Sequence, residues 1–295
     1  MNIDRSFLQG FIDIHVHSAP SIFPRSVTDQ ELAEQVRDAG MRGFVLKAHE
    51  ECTVSRAEIL KRSFPELDIF GSLVLNVFVG GLNPYAVDLA LKRGAKIIWM
   101  PTGSAKHHLG FYGGSDYSAQ KSEVALRPLQ GIEILDKQGR VIPVLYEILD
   151  MIAEAGAVAA SGHLSPRETI AFVEAAQERG VEKILVAHPD LGVTQMPLDL
   201  QVDLARKGAY LEKSYLPLMP DWKTIDIEQM VESIRRIGPE RCVLQTDFGQ
   251  VNHPSPPEGY RSFVSLLRKS GLPDRDIRRM GAQNPAELLN LPDKS

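Results

Sequence analysis

Phe11-Ile12-Asp13-Ile14-His15-Val16-His17-Ser18 is the stretch that decides the fold. Asp13 apart, apolar residues lead into two histidines spaced i, i+2. Residues at that spacing share one face of a strand. His15 and His17 are therefore expected to project together near the strand's C-terminal end. Two imidazoles on one face make half a metal site, because a tetrahedral or five-coordinate ion needs converging ligands. The plainer reading is a strand with two polar residues near its end, and the rest of the chain has to decide between them.

Downstream, apolar runs alternate with amphipathic segments. Thr28-Asp29-Gln30-Glu31 is a capping box that opens a helix ended by Gly40. Gly43 to His49 reads as a second strand, and Ser55 to Glu58 repeats the capping box. Strands follow at Ile69 to Asn76 and Ala95 to Pro101. A long irregular segment then runs from Thr102 to about Arg140, with His107, His108, Gly113 and Gly114 in it. Insertions of that length are often lids or binding loops. Further strands are expected at Ala157 to Ser161, Lys183 to His188, Ala209 to Glu212 and Cys242 to Asp247, each followed by a helix.

Eight strand–helix units argue for parallel strands with right-handed crossovers. Within 295 residues they predict an α/β fold, a single (β/α)8 TIM-type barrel over residues 1–295 with a long inserted loop after strand 4. An open doubly wound sheet would want a Gly-rich phosphate loop after strand one, where this chain has His15-Val16-His17.

Composition bounds the function classes. Apolar residues are 43% and charged residues 24%, as in ordinary globular proteins. A net charge of -5 gives no electrostatic reason to expect nucleic acid. No lysine–arginine run marks a membrane surface, and no apolar run approaches the length of a membrane span. Cys52 and Cys242 give no disulfide framework and no CxxC. Met1 to Gly10 lacks a signal-peptide apolar stretch, so a cytoplasmic protein acting on a small molecule is expected. Helix faces look alike whether they meet solvent or a subunit, so a homo-oligomer is compatible with the sequence.

In barrels of this kind the chemistry sits at the C-terminal ends of the strands. His15 and His17 end strand one, His49 strand two and His188 strand six. His163 follows strand five, and Asp247 ends strand eight. Five of the eight histidines thus fall on one expected rim. A lone histidine there is more often a hydrogen-bonded loop residue than a ligand. That explanation fails jointly, because it must account for one rim collecting nearly all the imidazoles.

This pattern resembles the amidohydrolase superfamily of metal-dependent hydrolases, over nearly the whole chain from Phe11 to Asn290. The resemblance implies a distorted barrel holding one or two divalent metals. It places His15 and His17 after strand one, His163 after strand five, His188 after strand six and Asp247 after strand eight as ligands. Strand four departs from the family pattern, since Trp99-Met100-Pro101-Thr102 offers neither the bridging lysine nor the glutamate of binuclear members. Lys47 and Glu212 are candidate substitutes, and a rim ion pair is the plainer reading of each. Mononuclear members are the other template: His15, His17, Asp247 and either His163 or His188 hold one ion there, and the remaining histidine polarises substrate.

Imidazole and carboxylate donors suit zinc, with manganese, iron or nickel as alternatives. Zinc lowers the pKa of its water to about 7. Asp247 is the expected general acid–base, with His188 and Lys47 as further catalytic groups. Arg25, His49, Glu212 and His107 are candidate substrate-binding residues, and Arg25 and Lys47 suit a carboxylate. The expected reaction is hydrolysis of a C–N or ester bond of amide or lactone type. The alternative is decarboxylation or hydration of a small unsaturated or aromatic acid, and a lesser one is a non-catalytic ligand-binding barrel.

Overall fold

Short apolar runs form strands, and the amphipathic segments between them form helices. The computed structural model describes residues 5–113, 122, 124 and 126–292. Among these residues the strands are β1 (Ile12–Val16), β2 (Gly43–Leu46), β3 (Asp68–Val74), β4 (Ile97–Trp99), β5 (Val158–Ala160), β6 (Ile184–Val186), β7 (Tyr210–Ser214) and β8 (Cys242–Gln245). They make one parallel sheet in sequence order, β1 to β8. β8 returns to β1 through a bridge between Val16 and Phe248, with Asp247 N donating to His15 O (3.1 Å) and His17 N to Phe248 O (2.8 Å). The result is the expected (β/α)8 barrel, nearly closed.

The barrel's interior is packed with side chains. Ile12, Ile14, Val45, Val74, Ile97, Trp99, Val158, Leu185 and Val243 form one buried cluster, with Ala286, Leu288 and Leu289 from the C-terminal region. Alternate strand residues face outward into two larger clusters beneath the helices, for example Phe44, Leu46, Ile98 and Val186. Those helices include α1 (Asp29–Asp38), α2 (Val54–Ser63), α3 (Pro84–Lys92), α4 (Lys106–Phe111), α5 (Pro143–Glu154), α6 (Pro166–Glu178), α7 (Leu198–Arg206), α8 (Ile227–Ile237) and α9 (Pro256–Lys269). No helix among the described residues is long and apolar enough to cross a membrane.

Thr28 and Glu31 close the expected capping box on α1. The second box, at Ser55, does not form. α2 begins two residues earlier, behind Thr53, whose side chain makes no cap. The Thr53 hydroxyl is already committed, donating to Leu46 O (2.7 Å) and accepting from Ser72 N (2.8 Å). The segment after β4 is less irregular than expected, because His107 and His108 lie on α4. Gly113 is described and Gly114, the other glycine expected to let this segment close as a lid, lies outside the described residues.

β1 contains the irregularity that matters most. Asp13 pairs with Phe44 but Val16 pairs with Leu46, so three steps on β1 match two on β2. That is a β-bulge, which re-aims the side chains after it. Strict alternation would put His15 on the face opposite Ile12 and Ile14. With the extra residue, the His15 ring instead lies 4.7 Å from Trp99 inside the barrel.

Candidate metal centre

Each rim residue reaches the mouth by an identifiable device. His15 and His17 follow the bulge. Lys47 and His49 continue the inward parity of Val45 on β2. His188 and Asp247 have left-handed backbones, φ 24° and 57°, a conformation uncommon in non-glycine residues. Gly249 must be glycine: at φ 148° a Cβ would lie 2.2 Å from His17 O. That close approach locks the turn carrying Asp247 against β1.

His15, His188 and Asp247 each present a ligand atom, all within 4.8 Å of one another, and all three residues are buried. The second nitrogens are held. His15 Nδ1 lies 3.2 Å from Glu212 Oε1, and Glu212 Oε2 also accepts from His188 N (2.8 Å). His17 Nδ1 donates to Lys47 O (2.9 Å). A carboxylate and a carbonyl only accept, so both Nδ1 atoms carry hydrogen, and in the neutral rings both Nε2 atoms are left as lone pairs. Those lone pairs face one oxygen: Asp247 Oδ1 is 3.0 Å from His15 Nε2 and 3.2 Å from His17 Nε2. Three acceptors this close repel unless something positive sits among them. The buried His188 Nε2 has no hydrogen-bond partner among the described residues. The donor set therefore fits a divalent cation, with Glu212 and the Lys47 carbonyl orienting its ligands from behind.

Lys47 provides positive charge at this point in the structure. Its Nζ is 2.8 Å from His15 Nε2 and 4.3 Å from the centre of the Trp99 ring. Burial lowers its pKa to about 8, against the pull of Asp247 and Glu212. Burial likewise pushes His188 down to about 4 and His17 to about 3, the latter assisted by the Arg25 charge. Both rings are neutral at physiological pH. Burial opposes a charge on His15 too, but Asp247 beside it raises that ring above its ordinary value. Burial also works against the Asp247 carboxylate, yet His15 and His17 hold it well below the usual range.

A cavity opens above these groups. His17, Lys47, His49, His163 and Asp247 form one side of its lining, and Leu191, Val193, Leu216, Tyr112 and Trp222 supply apolar walls.

Residues 10–212 match the model of a family of unknown function, DUF6282. The chain belongs to that family. No curated protein matches its sequence. In fold, this DUF6282 chain is similar to an amidohydrolase from Pseudomonas aeruginosa, at 12% identity, TM-score 0.65 and 98% coverage of both chains. It is similar to an organophosphorus hydrolase from Deinococcus radiodurans, at 12% identity and TM-score 0.60, covering 97% of this chain and 94% of that one. A putative 2-pyrone-4,6-dicarboxylic acid hydrolase from Pseudomonas putida aligns at 14% identity and TM-score 0.58, over 95% of this chain and 97% of that one. The amidohydrolase resemblance read from rim histidines is thus matched by a shared fold over nearly the full length.

Within the DUF6282 chain the sequence-derived residues separate into groups. His15, His17, His188, Asp247 and Lys47 meet at one point. Glu212 is wholly buried behind His15 and serves there as an orienting carboxylate, one layer below the cavity. His49 lines the cavity, stacked 4.8 Å from His17, with Nδ1 on Thr102 Oγ1 (2.9 Å). His163 pairs with His108, their Nδ1 atoms 2.7 Å apart. His107 points the other way, its Nε2 meeting Val193 O at 2.7 Å, and its neighbour His108 lines the cavity instead. Arg25 stands at the periphery, 5.6 Å from the centre of the Phe23 ring, near enough for its charge to act on His17 and His49.

Asp13 has a role that the strand pattern alone does not reveal. It is buried, and its carboxylate accepts from His15 N (3.2 Å) and from Thr246 Oγ1 (2.6 Å). It thereby fastens the bulge to β8. Burial pushes its pKa up to about 7, against the Thr246 hydroxyl. An acidic residue interrupting an apolar strand was the available signal.

Proposed function

We propose that this chain is a metal-dependent hydrolase cleaving a C–N or ester bond, of amide or lactone type, in a small carboxylated molecule. The observation that carries the reading is the convergence of His15, His188 and Asp247 on one point, with acceptors facing one another beneath a cavity. The nitrogen-rich donor set favours zinc, with manganese, iron or nickel as alternatives. When bound, such an ion supplies Lewis acidity toward a substrate carbonyl and toward water.

The chain's own groups do the rest. Glu212 and the Lys47 carbonyl hold His15 and His17 in the tautomers that point Nε2 at the centre. Asp247, ionised and at the edge of the cavity, takes the proton of the attacking water and returns it to the leaving group. Lys47 gives the cavity a positive group for a substrate carboxylate, and Arg25 adds charge from the periphery. The apolar wall of Leu191, Val193, Leu216 and Trp222 holds the remaining carbon skeleton and excludes water.

A second reading, decarboxylation or hydration of an unsaturated or aromatic acid, is favoured by one observation. β4 ends in Trp99, whose ring packs inside the barrel, and supplies no bridging carboxylate or lysine. Purified protein should be assayed for metal and screened on carboxylated lactones and amides beside enoates and aryl acids. Hydrolysis that disappears with the ion in His15→Ala, at unchanged circular dichroism, is the expected result. Metal retained by that variant, or turnover indifferent to metal, would refute the proposal. Turnover confined to enoates or aryl acids would select the second reading.

A further inference from the structure

Trp222 lines the cavity from the loop between β7 and α8. That loop's own backbone bonds, Trp222 N to Met219 O (3.0 Å) and Thr224 N to Pro217 O (3.0 Å), shape it without tying it to its neighbours. Two side chains make ties to other loops, one on each side of Trp222. Thr224 Oγ1 donates to Asp190 O (2.5 Å) in the loop after β6. The Asp221 carboxylate accepts from the loop after β8, from His253 Nε2 (3.0 Å) and Asn252 Nδ2 (2.7 Å).

His253 is buried, although it does not line the cavity. Its ring packs 5.1 Å from that of Phe248. Its Nδ1 faces Gln250 Oε1 (3.2 Å), and Gln250 Nε2 donates to Asp247 O (3.0 Å). The carboxylate and the amide oxygen are both acceptors, so the ring bonds to both only when it carries both hydrogens. Burial works against the Asp221 carboxylate, yet His253 holds it below its ordinary value. One buried imidazole thus joins the turn carrying Asp247 to the loop carrying Trp222.

We propose that His253 and Asp221 are positioning residues: they clasp the loop after β7 to the loop after β8, hold Trp222 as a wall of the cavity, and so make the site prefer carboxylates with a flat apolar body. The proposal deepens the hydrolase reading and rests on it for the use of this cavity by substrate. Trp222 packs against the cluster of Leu191, Val193, Leu216 and Phe248. Its ring and that of Tyr112 offer broad apolar faces to the cavity, while Lys47 supplies the charge for a carboxylate. Without the clasp, only Thr224 ties this wall to a neighbouring loop by a side-chain hydrogen bond among the described residues.

The test uses the full chain. Its two tryptophans are Trp99 and Trp222. Trp99 is wholly buried, so acrylamide quenching of fluorescence reports on Trp222. Asp221→Ala should raise that quenching. Calorimetric titration with hydrocinnamate and with propionate then reads the preference for an apolar body. Wild type should bind the aryl acid at least about tenfold more tightly, the smallest effect usual for an apolar group that fits its pocket. Asp221→Ala should lose most of that ratio and bind propionate as wild type does, and Trp222→Ala should lose the same ratio. Asp221→Asn keeps the shape and one acceptor; it covers an Ala variant that fails to fold and should move both readouts in the same direction, less far. Equal affinities in wild type, or no binding of either acid, would overturn the proposal. So would quenching and ratio unmoved in Asp221→Ala, or a loss of affinity shared by both acids, which is what general loosening gives. Preference for the aryl acid in a chain that hydrolyses nothing would sink the proposed function and leave the clasp standing. Metal-dependent hydrolysis with no such preference would do the reverse.

Discussion

Glu212 shows how much of this site lies behind the residues that touch substrate. Its carboxylate accepts from His15 Nδ1 and from His188 N, and so orients two ligands from one position on β7. Outer partners of this kind are usually worth about 10–100-fold in metal affinity. Glu212→Gln should therefore weaken binding by that order with the fold retained, as read by competition with a chromophoric chelator; unchanged affinity would leave Glu212 as mere packing. Protonation adds a second residue-level prediction. His17 and His188, pushed down to about 3 and 4, are already neutral when the ion arrives. His15, raised above its ordinary value despite burial, has a proton to release. Apparent affinity of the metal-free protein should thus rise about tenfold per pH unit below the His15 pKa and flatten above it. A slope of two or three protons would contradict the burial of the other rings. The rim histidines were legible in the sequence because each ends an apolar run. His108 was not singled out from His107, since helical facing inside a segment read as irregular cannot be known before the helix is.

Among the elements, β1 and β7 hold the devices that periodicity hides. The His15-Val16-His17 spacing correctly placed two imidazoles together, but simple alternation from Ile12 and Ile14 would have turned them out of the barrel. The bulge held by Asp13 corrects the direction, and bulges leave no hydropathy signature. The apolar pattern ends β7 at Glu212, yet the strand continues through Lys213 to Ser214. Lys213 is wholly buried among Asp190 Oδ2 (2.9 Å), Gln201 Oε1 (2.8 Å) on α7 and Ser233 Oγ (2.6 Å) on α8. Asp190 belongs to the loop that begins at His188, so this network pins a ligand-bearing turn from outside the barrel. Removing one partner of a buried pair leaves an uncompensated charge, at a cost of about 3 kcal/mol or more. Lys213→Met should show that loss in urea unfolding, and Lys213→Met with Asp190→Leu should recover most of it. A double variant no better than the single would show that the pair itself stabilises the layer.

At the scale of the whole molecule, the strand order followed from counting apolar runs, because parallel strands with short crossovers leave few arrangements of eight βα units. Closure also followed from eight units at this length, but the way it is made did not. It depends on Asp247 and Phe248 bonding to His15 and His17 beyond the regular ladder. The seam between first and last strands is therefore also the wall of the candidate metal centre. An ion gripped by His15 on β1, His188 after β6 and Asp247 after β8 would cross-brace the mouth where β1 and β8 meet beyond the regular ladder. Such an ion binds the folded chain and not the unfolded one, so it stabilises by mass action, about 2.7 kcal/mol at a hundredfold excess over Kd. For a chain of this size that is a rise in Tm of roughly 5 °C. Chelation should lower Tm by that amount and zinc should restore it, as followed by calorimetry. His15→Ala should melt with the chelated wild type and ignore added zinc. If wild type and chelated protein melt together at saturating zinc, the seam is held by Asp247 and the backbone alone, and the cation contributes nothing to closing the barrel.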